Sequence, residues 1–149
     1  MKAFSNLLSD LILTSSRNRK LSLLEQYFSS TPDPDRGYAL AALTGSLNFK
    51  NIKSSFFKGL IKEKQDEHLF DLSYDYVGDL AETISLLWDQ EKSGNMPRLS
   101  SLFENLKKAK TDELKNYIIN ILNISTADQR WAFIKLFTGG LRIGVSSLS

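Results

Sequence analysis

Met1-Lys2-Ala3-Phe4-Ser5-Asn6-Leu7-Leu8-Ser9-Asp10-Leu11-Ile12 opens the chain with apolar residues at positions 4, 7, 8, 11 and 12. That is the spacing of one face of an α-helix, and polar residues fill the other face. The same period returns down the chain. Leu21, Leu24 and Phe28 form one stripe; Phe56, Phe57, Leu60 and Ile61 another; Val77, Leu80, Ile84, Leu87 and Trp88 a third. Leu99, Leu102, Phe103 and Leu106, then Leu114, Ile118, Ile121 and Leu122, then Trp131, Ile134 and Phe137 continue it. No stretch alternates β-branched with polar residues for long. The pattern predicts an all-α, multi-helix domain of about eight or nine helices with no sheet.

The connections carry their own signals. Thr14, Ser15 and Ser16 can cap the second helix, and Thr111 or Asp112 and Ser125 or Thr126 can cap two later ones. In Thr31-Pro32-Asp33-Pro34-Asp35-Arg36-Gly37, Asp33 is placed to cap and Pro34 to occupy the first helical position. This launches a helix through Tyr38, Leu40, Leu43 and Leu47. Lys62 to Glu67 reads as a solvated helix end, Tyr74-Asp75-Tyr76 as a corner, and Glu91 to Pro97 as the clearest loop. Residues 1–149 are expected to form a single helical domain.

Composition removes several classes of chemistry. The chain has 149 residues, no cysteine and one histidine, so disulfides, a thiolate nucleophile and the usual zinc sites are out of reach. His68 beside Glu67 reads as a surface residue. Asp75, Asp79 and Glu82 could share a helix face and hold a cation, but Asp79 after Gly78 reads more simply as a helix cap. No phosphate-binding glycine loop and no nucleophile elbow occurs, and catalysis within this chain is not expected. The N-terminus lacks the pattern of a signal peptide, and no apolar run approaches a bilayer span, so a cytoplasmic protein is expected.

Nineteen Lys and Arg against 17 Asp and Glu leave a net charge of only +2. Any attraction to an anionic polymer therefore depends on where the cations sit. Three places gather them with hydroxyl or glycine residues. Ser16, Arg17, Asn18 and Lys20 crowd the start of the second helix, where cations oppose the helix dipole unless an anion is present. Lys108, Lys110 and Thr111 occupy a helix-to-helix turn. Gly139, Gly140, Arg142 and Gly144 lie in a terminal segment where missing Cβ atoms permit close backbone approach. Helix starts and glycine backbones suit phosphate oxygens, and no polar recognition helix for the major groove is evident. The combination points to minor-groove and phosphate binding with little sequence preference.

Three segments carry a family resemblance: Thr31 to Gly45; Leu72-Ser73-Tyr74-Asp75-Tyr76-Val77-Gly78-Asp79-Leu80-Ala81-Glu82-Thr83; and Thr138-Gly139-Gly140-Leu141-Arg142-Ile143-Gly144-Val145-Ser146. Together they resemble the N-terminal DNA-binding domain of bacterial ATP-dependent DNA ligases. The resemblance implies an all-helical domain that clamps nicked duplex DNA across the minor groove in repair and replication. It places Gly139, Gly140, Arg142 and Gly144 against DNA, Ser16, Arg17, Asn18 and Lys20 in a partner turn, and Lys108 to Thr111 in a third contact. Such ligases continue into an adenylation domain, whose lysine lies in a Lys-x-Asp-Gly motif, and an OB-fold domain; ATP and Mg would serve those parts. Lys110-Thr111-Asp112-Glu113 lacks the glycine, and the chain ends at Ser149. The expectation is an excised domain, a monomer near the bacterial nucleoid that needs no cofactor of its own and partners DNA and the ligase's catalytic domains. The alternative is a helical protein-interaction module of a repair or replication complex.

Overall fold

The computed structural model describes residues 2–44, 49, 52–89 and 94–138. Nine helices and no strand occur among them: α1 Lys2–Leu13, α2 Arg17–Ser30, α3 Asp35–Leu43, α4 Ser54–Lys64, α5 Glu67–Val77, α6 Leu80–Leu87, α7 Leu99–Lys108, α8 Thr111–Ile124 and α9 Ala127–Thr138. The opening periodicity is realised as read, because Phe4, Leu7, Leu8 and Leu11 of α1 are all buried. α1 and α6 both pack on α9, α2 leans on α1, and α3 pairs with α7.

α9 is the central helix. Phe133 is fully buried and meets Phe57 of α4 edge-on at 6.4 Å, while Phe137 touches Phe49, Phe57 and Phe103. Phe103 stacks in turn on Tyr38 at 5.4 Å and on Phe49 at 5.7 Å, so α3, α4, α7 and α9 share one aromatic cluster. Offset and edge-on pairs of this kind add about 0.5–1.5 kcal/mol each beyond the area they bury. The sequence stripe of α9 placed Trp131 in the core and omitted Phe133; Trp131 is only half-buried. A helix surrounded by others buries more than one stripe, which blurs its periodicity.

Three further expectations change. Val77 to Trp88 is not one helix: α5 runs through Tyr74-Asp75-Tyr76 and stops at Gly78, whose φ of 80° is left-handed. Asp79 then caps α6 by accepting the Glu82 N–H at 2.9 Å. On α2 the inward residues are Leu23, Leu24, Tyr27 and Phe28, with Leu21 exposed. Tyr27 meets Phe4 of α1 edge-on at 6.1 Å and so fixes that face. At the start of α3, Asp33 pairs with Arg36 at 2.8 Å, Pro34 holds the cap position, and the helix begins at Asp35. The Asp33-Pro34 peptide is cis. Leu47 lies outside the described residues.

Long-range polar contacts tie helix ends together. Asp35 accepts the Ser100 N–H at 3.0 Å and so caps α7 from another helix, with Arg98 at 3.6 Å. Burial would raise the Asp35 pKa, but the Ser100 bonds and the Arg98 charge outweigh it and hold the carboxyl below its usual value. Arg130 of α9 is buried to 5% exposure; its Nε and Nη2 donate to Ser85 O at 3.2 and 3.0 Å, and its Nη1 to Ser125 O at 2.7 Å. Both carbonyls belong to helix C-termini, where partial negative charge favours a cation. Lys135 reaches Asp79 at 2.7 Å, and Asn123 accepts from Trp88 Nε1 at 2.9 Å and Lys64 Nζ at 3.3 Å.

Candidate nucleic-acid interface

Two of the three candidate clusters fall within the described residues; Gly139, Gly140, Arg142 and Gly144 lie outside them. The first cluster is built by a helix start. α1 ends at Leu13, the Thr14 hydroxyl donates to Asp10 O at 2.7 Å, and the chain reverses into α2. Ser16 adopts extended backbone, and its Oγ accepts the Arg19 N–H at 3.3 Å. This is the serine cap that the sequence indicated.

The first turn of α2 holds Arg17, Arg19 and Lys20 and no acid. Ser16, Arg17 and Asn18 are exposed and Lys20 is half-exposed. Three cations therefore surround the positive end of a helix dipole. Within the folded chain that arrangement is mildly unfavourable, and an anion placed over the helix start converts it into an attraction. The turn is held in place from behind, because α2 rests on α1 and α1 rests on α9.

The second cluster differs in its electrostatics. Lys108 ends α7, Ala109 caps it through an N–H bond to Asn105 O at 3.1 Å, and α8 begins at Thr111. Lys108, Lys110 and Thr111 are all exposed. However, Asp112 and Glu113 occupy the same first turn, and Glu113 accepts the Lys110 N–H at 3.4 Å. The helix start already has its anion. Neither Thr111 nor Asp112 is the capping residue here; the cap position is Lys110, and Glu113 supplies the carboxylate. A groove of about 280 Å³, lined in part by Asn105, Lys108 and Tyr117, borders the turn. Lys107 is drawn away over the Tyr38 ring, 5.2 Å from its centre.

The first turn joins α1 to α2 and the second joins α7 to α8. Of the two, the α2 start is the better suited to an anion, since cations and helix dipole act there in the same sense. The sequence reading grouped the clusters by their cations, hydroxyls and glycines and placed the Lys108 to Thr111 turn third, without weighing the neighbouring acids. The signal was present in the acids that follow Thr111.

The acidic trio separates. Asp79 is engaged by the Glu82 N–H and Lys135. Among the described residues no group of three or more His, Cys, Asp or Glu could hold a metal ion. His68 is exposed, and among the described residues no helix is long and apolar enough to cross a membrane. Thr126 and Gln129 cap α9 reciprocally, the Thr126 N–H donating to Gln129 Oε1 at 3.1 Å and the Gln129 N–H to Thr126 Oγ1 at 3.4 Å.

Comparison with known families matches residues 1–149, the whole chain, to a family described as the DNA ligase N terminus. No curated protein matches the sequence significantly.

Proposed function

Because the chain belongs to the DNA ligase N-terminal domain family, we propose that it holds nicked duplex DNA for a ligase's catalytic domains, through the minor groove and flanking phosphates. The observation that carries this reading is the start of α2, a serine-capped helix N-terminus with three cations and no acid in its first turn. Ser16, Arg17, Asn18 and Lys20 meet one stretch of phosphates in this reading. Lys108, Lys110 and Thr111 make a weaker contact, because Asp112 and Glu113 offset their charge.

Gly139, Gly140, Arg142 and Gly144 complete the interface by admitting the backbone close to the groove. Binding is sequence-nonspecific, since phosphates and groove width carry no direct base readout. The contribution to sealing is positional. In-line attack by a 3′-hydroxyl on an activated 5′-phosphate requires near-contact geometry, and a clamp on the duplex supplies it. ATP and Mg serve the catalytic domains, and this chain binds neither.

Titration of nicked duplex at several salt concentrations tests the reading. Log K is expected to fall linearly with log[salt]. Lys20→Ala is expected to weaken binding equally on unrelated sequences and to lower the salt slope by about one if it meets one phosphate. Lys108→Ala is expected to do less. A salt-independent affinity, or a Lys20→Ala variant with an unchanged slope, would overturn the assignment.

A further inference from the structure

Leu86 stands where two apolar grooves meet. The first, about 370 Å³, lies between the end of α1, α6 and the start of α9, and its floor includes Ile12, Leu13, Leu86 and Trp131. The second, about 340 Å³, runs between α5 and α6 past Leu72, Tyr76 and the same Leu86. Together they form one elongated strip. Leu13 is 85% exposed, Leu86 64% and Tyr76 93%, whereas the helices that carry them already bury Leu11, Ile84 and Phe70 in the core. These side chains are surplus to the fold's own packing. Single exposed apolar residues are ordinary, but a continuous apolar strip is the mark of a docking surface.

Among the described residues of the four helices that carry the strip, the charge beside it is mainly acidic; the cations of the α2 start follow Leu13 by four residues and more. Glu82 and Asp128 line the first groove, and Asp10 is exposed on α1 between the lining residues Ser9 and Ile12. α5 carries exposed Asp71 and Asp75 beside Leu72, while its Glu67 is paired with Lys62 of α4 at 3.2 Å, and neither α5 nor α6 contains a lysine or arginine. On α9, Arg130 is committed to Ser85 and Ser125, and Lys135 to Asp79. Lys58 and Lys62 of α4 lie over Tyr74 and Phe70 of α5. At 100° per residue those rings are on the side of α5 away from Leu72 and Tyr76. An acidic rim repels a nucleic-acid backbone and an anionic lipid surface, and two copies meeting strip to strip would oppose like charges.

We infer that this strip docks an amphipathic helix of another protein, with apolar anchors at i, i+3 or i+4, and i+7, and lysine or arginine along its flanks. Anchors at that spacing fall into successive grooves in the helix-in-groove mode, and the flanking cations meet the acidic rim. The surface is carried by α1, α5, α6 and α9, whereas the phosphate-binding turns begin α2 and join α7 to α8. The inference therefore does not depend on the DNA reading.

The test uses a synthetic helix of about 18 residues with Leu at the anchor positions and Lys beside them, together with a scrambled version and one carrying Glu for Lys. Trp131 in the groove floor reports occupancy by a blue shift of its emission. Saturable binding of the Lys helix in the micromolar range is expected, with neither control binding comparably. Leu86→Lys is expected to weaken it at least tenfold, and Glu82→Lys combined with Asp128→Lys similarly. All variants are expected to keep the wild-type far-UV spectrum and to bind nicked duplex no more weakly than the wild type. Four results would overturn the proposal: no saturable shift, equal binding of the Glu helix, no effect of Leu86→Lys, or self-association in sedimentation that Leu86→Lys abolishes. The last would assign the strip to a second copy of the chain.

Discussion

Replacing Arg130 with methionine tests whether a buried cation holds the bundle together. Methionine keeps much of the aliphatic stem and removes the guanidinium. Ser85 O then loses two donors at 3.0 and 3.2 Å, and Ser125 O loses one at 2.7 Å. A buried carbonyl deprived of its partner costs about 1–3 kcal/mol. Part of that is returned, because the charge itself was expensive to bury and its pKa is pushed down by burial, with Asp89 only partly offsetting the effect. The net loss is expected to be about 3 kcal/mol. With a urea m-value of about 2 kcal/mol per molar, the midpoint falls by about 1.5 M. Tm falls by about 6–12 °C, at roughly 2–4 °C per kcal/mol for a chain of this size. Urea unfolding followed by tryptophan emission and far-UV circular dichroism measures it, since Trp88 is buried and Trp131 half-buried. Arg130→Lys keeps a charge but cannot span two carbonyls with a planar fork, so it is expected to fall between. A methionine variant within about 0.5 kcal/mol of wild type, well under one bond of this kind, would refute the reasoning.

Asp35→Asn is expected to lower stability near neutral pH by about 1 kcal/mol through the weakened cap on α7. Because the Asp35 pKa is lowered on folding, its stabilisation is complete above the unfolded value of about 4 and is lost as pH falls through the folded value. The two proteins' urea midpoints should therefore begin to converge only as pH falls below about 4 and meet below the folded value; a gap that does not narrow on acidification contradicts the charge assignment. Gly78→Ala is expected to cost about 1–2 kcal/mol from the left-handed backbone alone, since an added Cβ meets nothing within 4 Å. Gly78→Asn recovers most of this, and equal melting of all three proteins would show that the α5 to α6 joint adapts.

Periodicity revealed the helices because each buries a stripe, and α1 and α7 are the clearest cases: Phe4, Leu7, Leu8 and Leu11, then Leu99, Leu102, Phe103 and Leu106, face the core as read. It failed where burial is not one-sided. α9 buries Arg130 together with the consecutive Ala132, Phe133 and Ile134, so Phe133 left no stripe. The joint at Gly78 was hidden because Val77, Leu80, Ile84 and Leu87 keep helical spacing across a break that only a left-handed residue makes. Asp35 was legible as an acid in a turn, but its partner Ser100 is 65 positions away and depends on packing. Among the candidate residues, the Ser16 cap and the cations of its first turn were legible because both are local. The weaker character of Lys108, Lys110 and Thr111 was also local, but it required weighing Asp112 and Glu113 against them.

The loop that precedes α7 looks in the sequence like a place to cut the chain. Asp35 reaches across it to Ser100, Glu63 to Lys115, Trp88 to Asn123, Asp79 to Lys135, and Ser85 to Arg130. A protease that nicked the exposed Gly94 or Asn95 would sever one peptide bond and leave every one of these ties in place. The two pieces would then migrate as one particle until denatured. Neither piece would inherit a finished core, because α3 holds the cap of α7 and α9 holds the cation that closes α6.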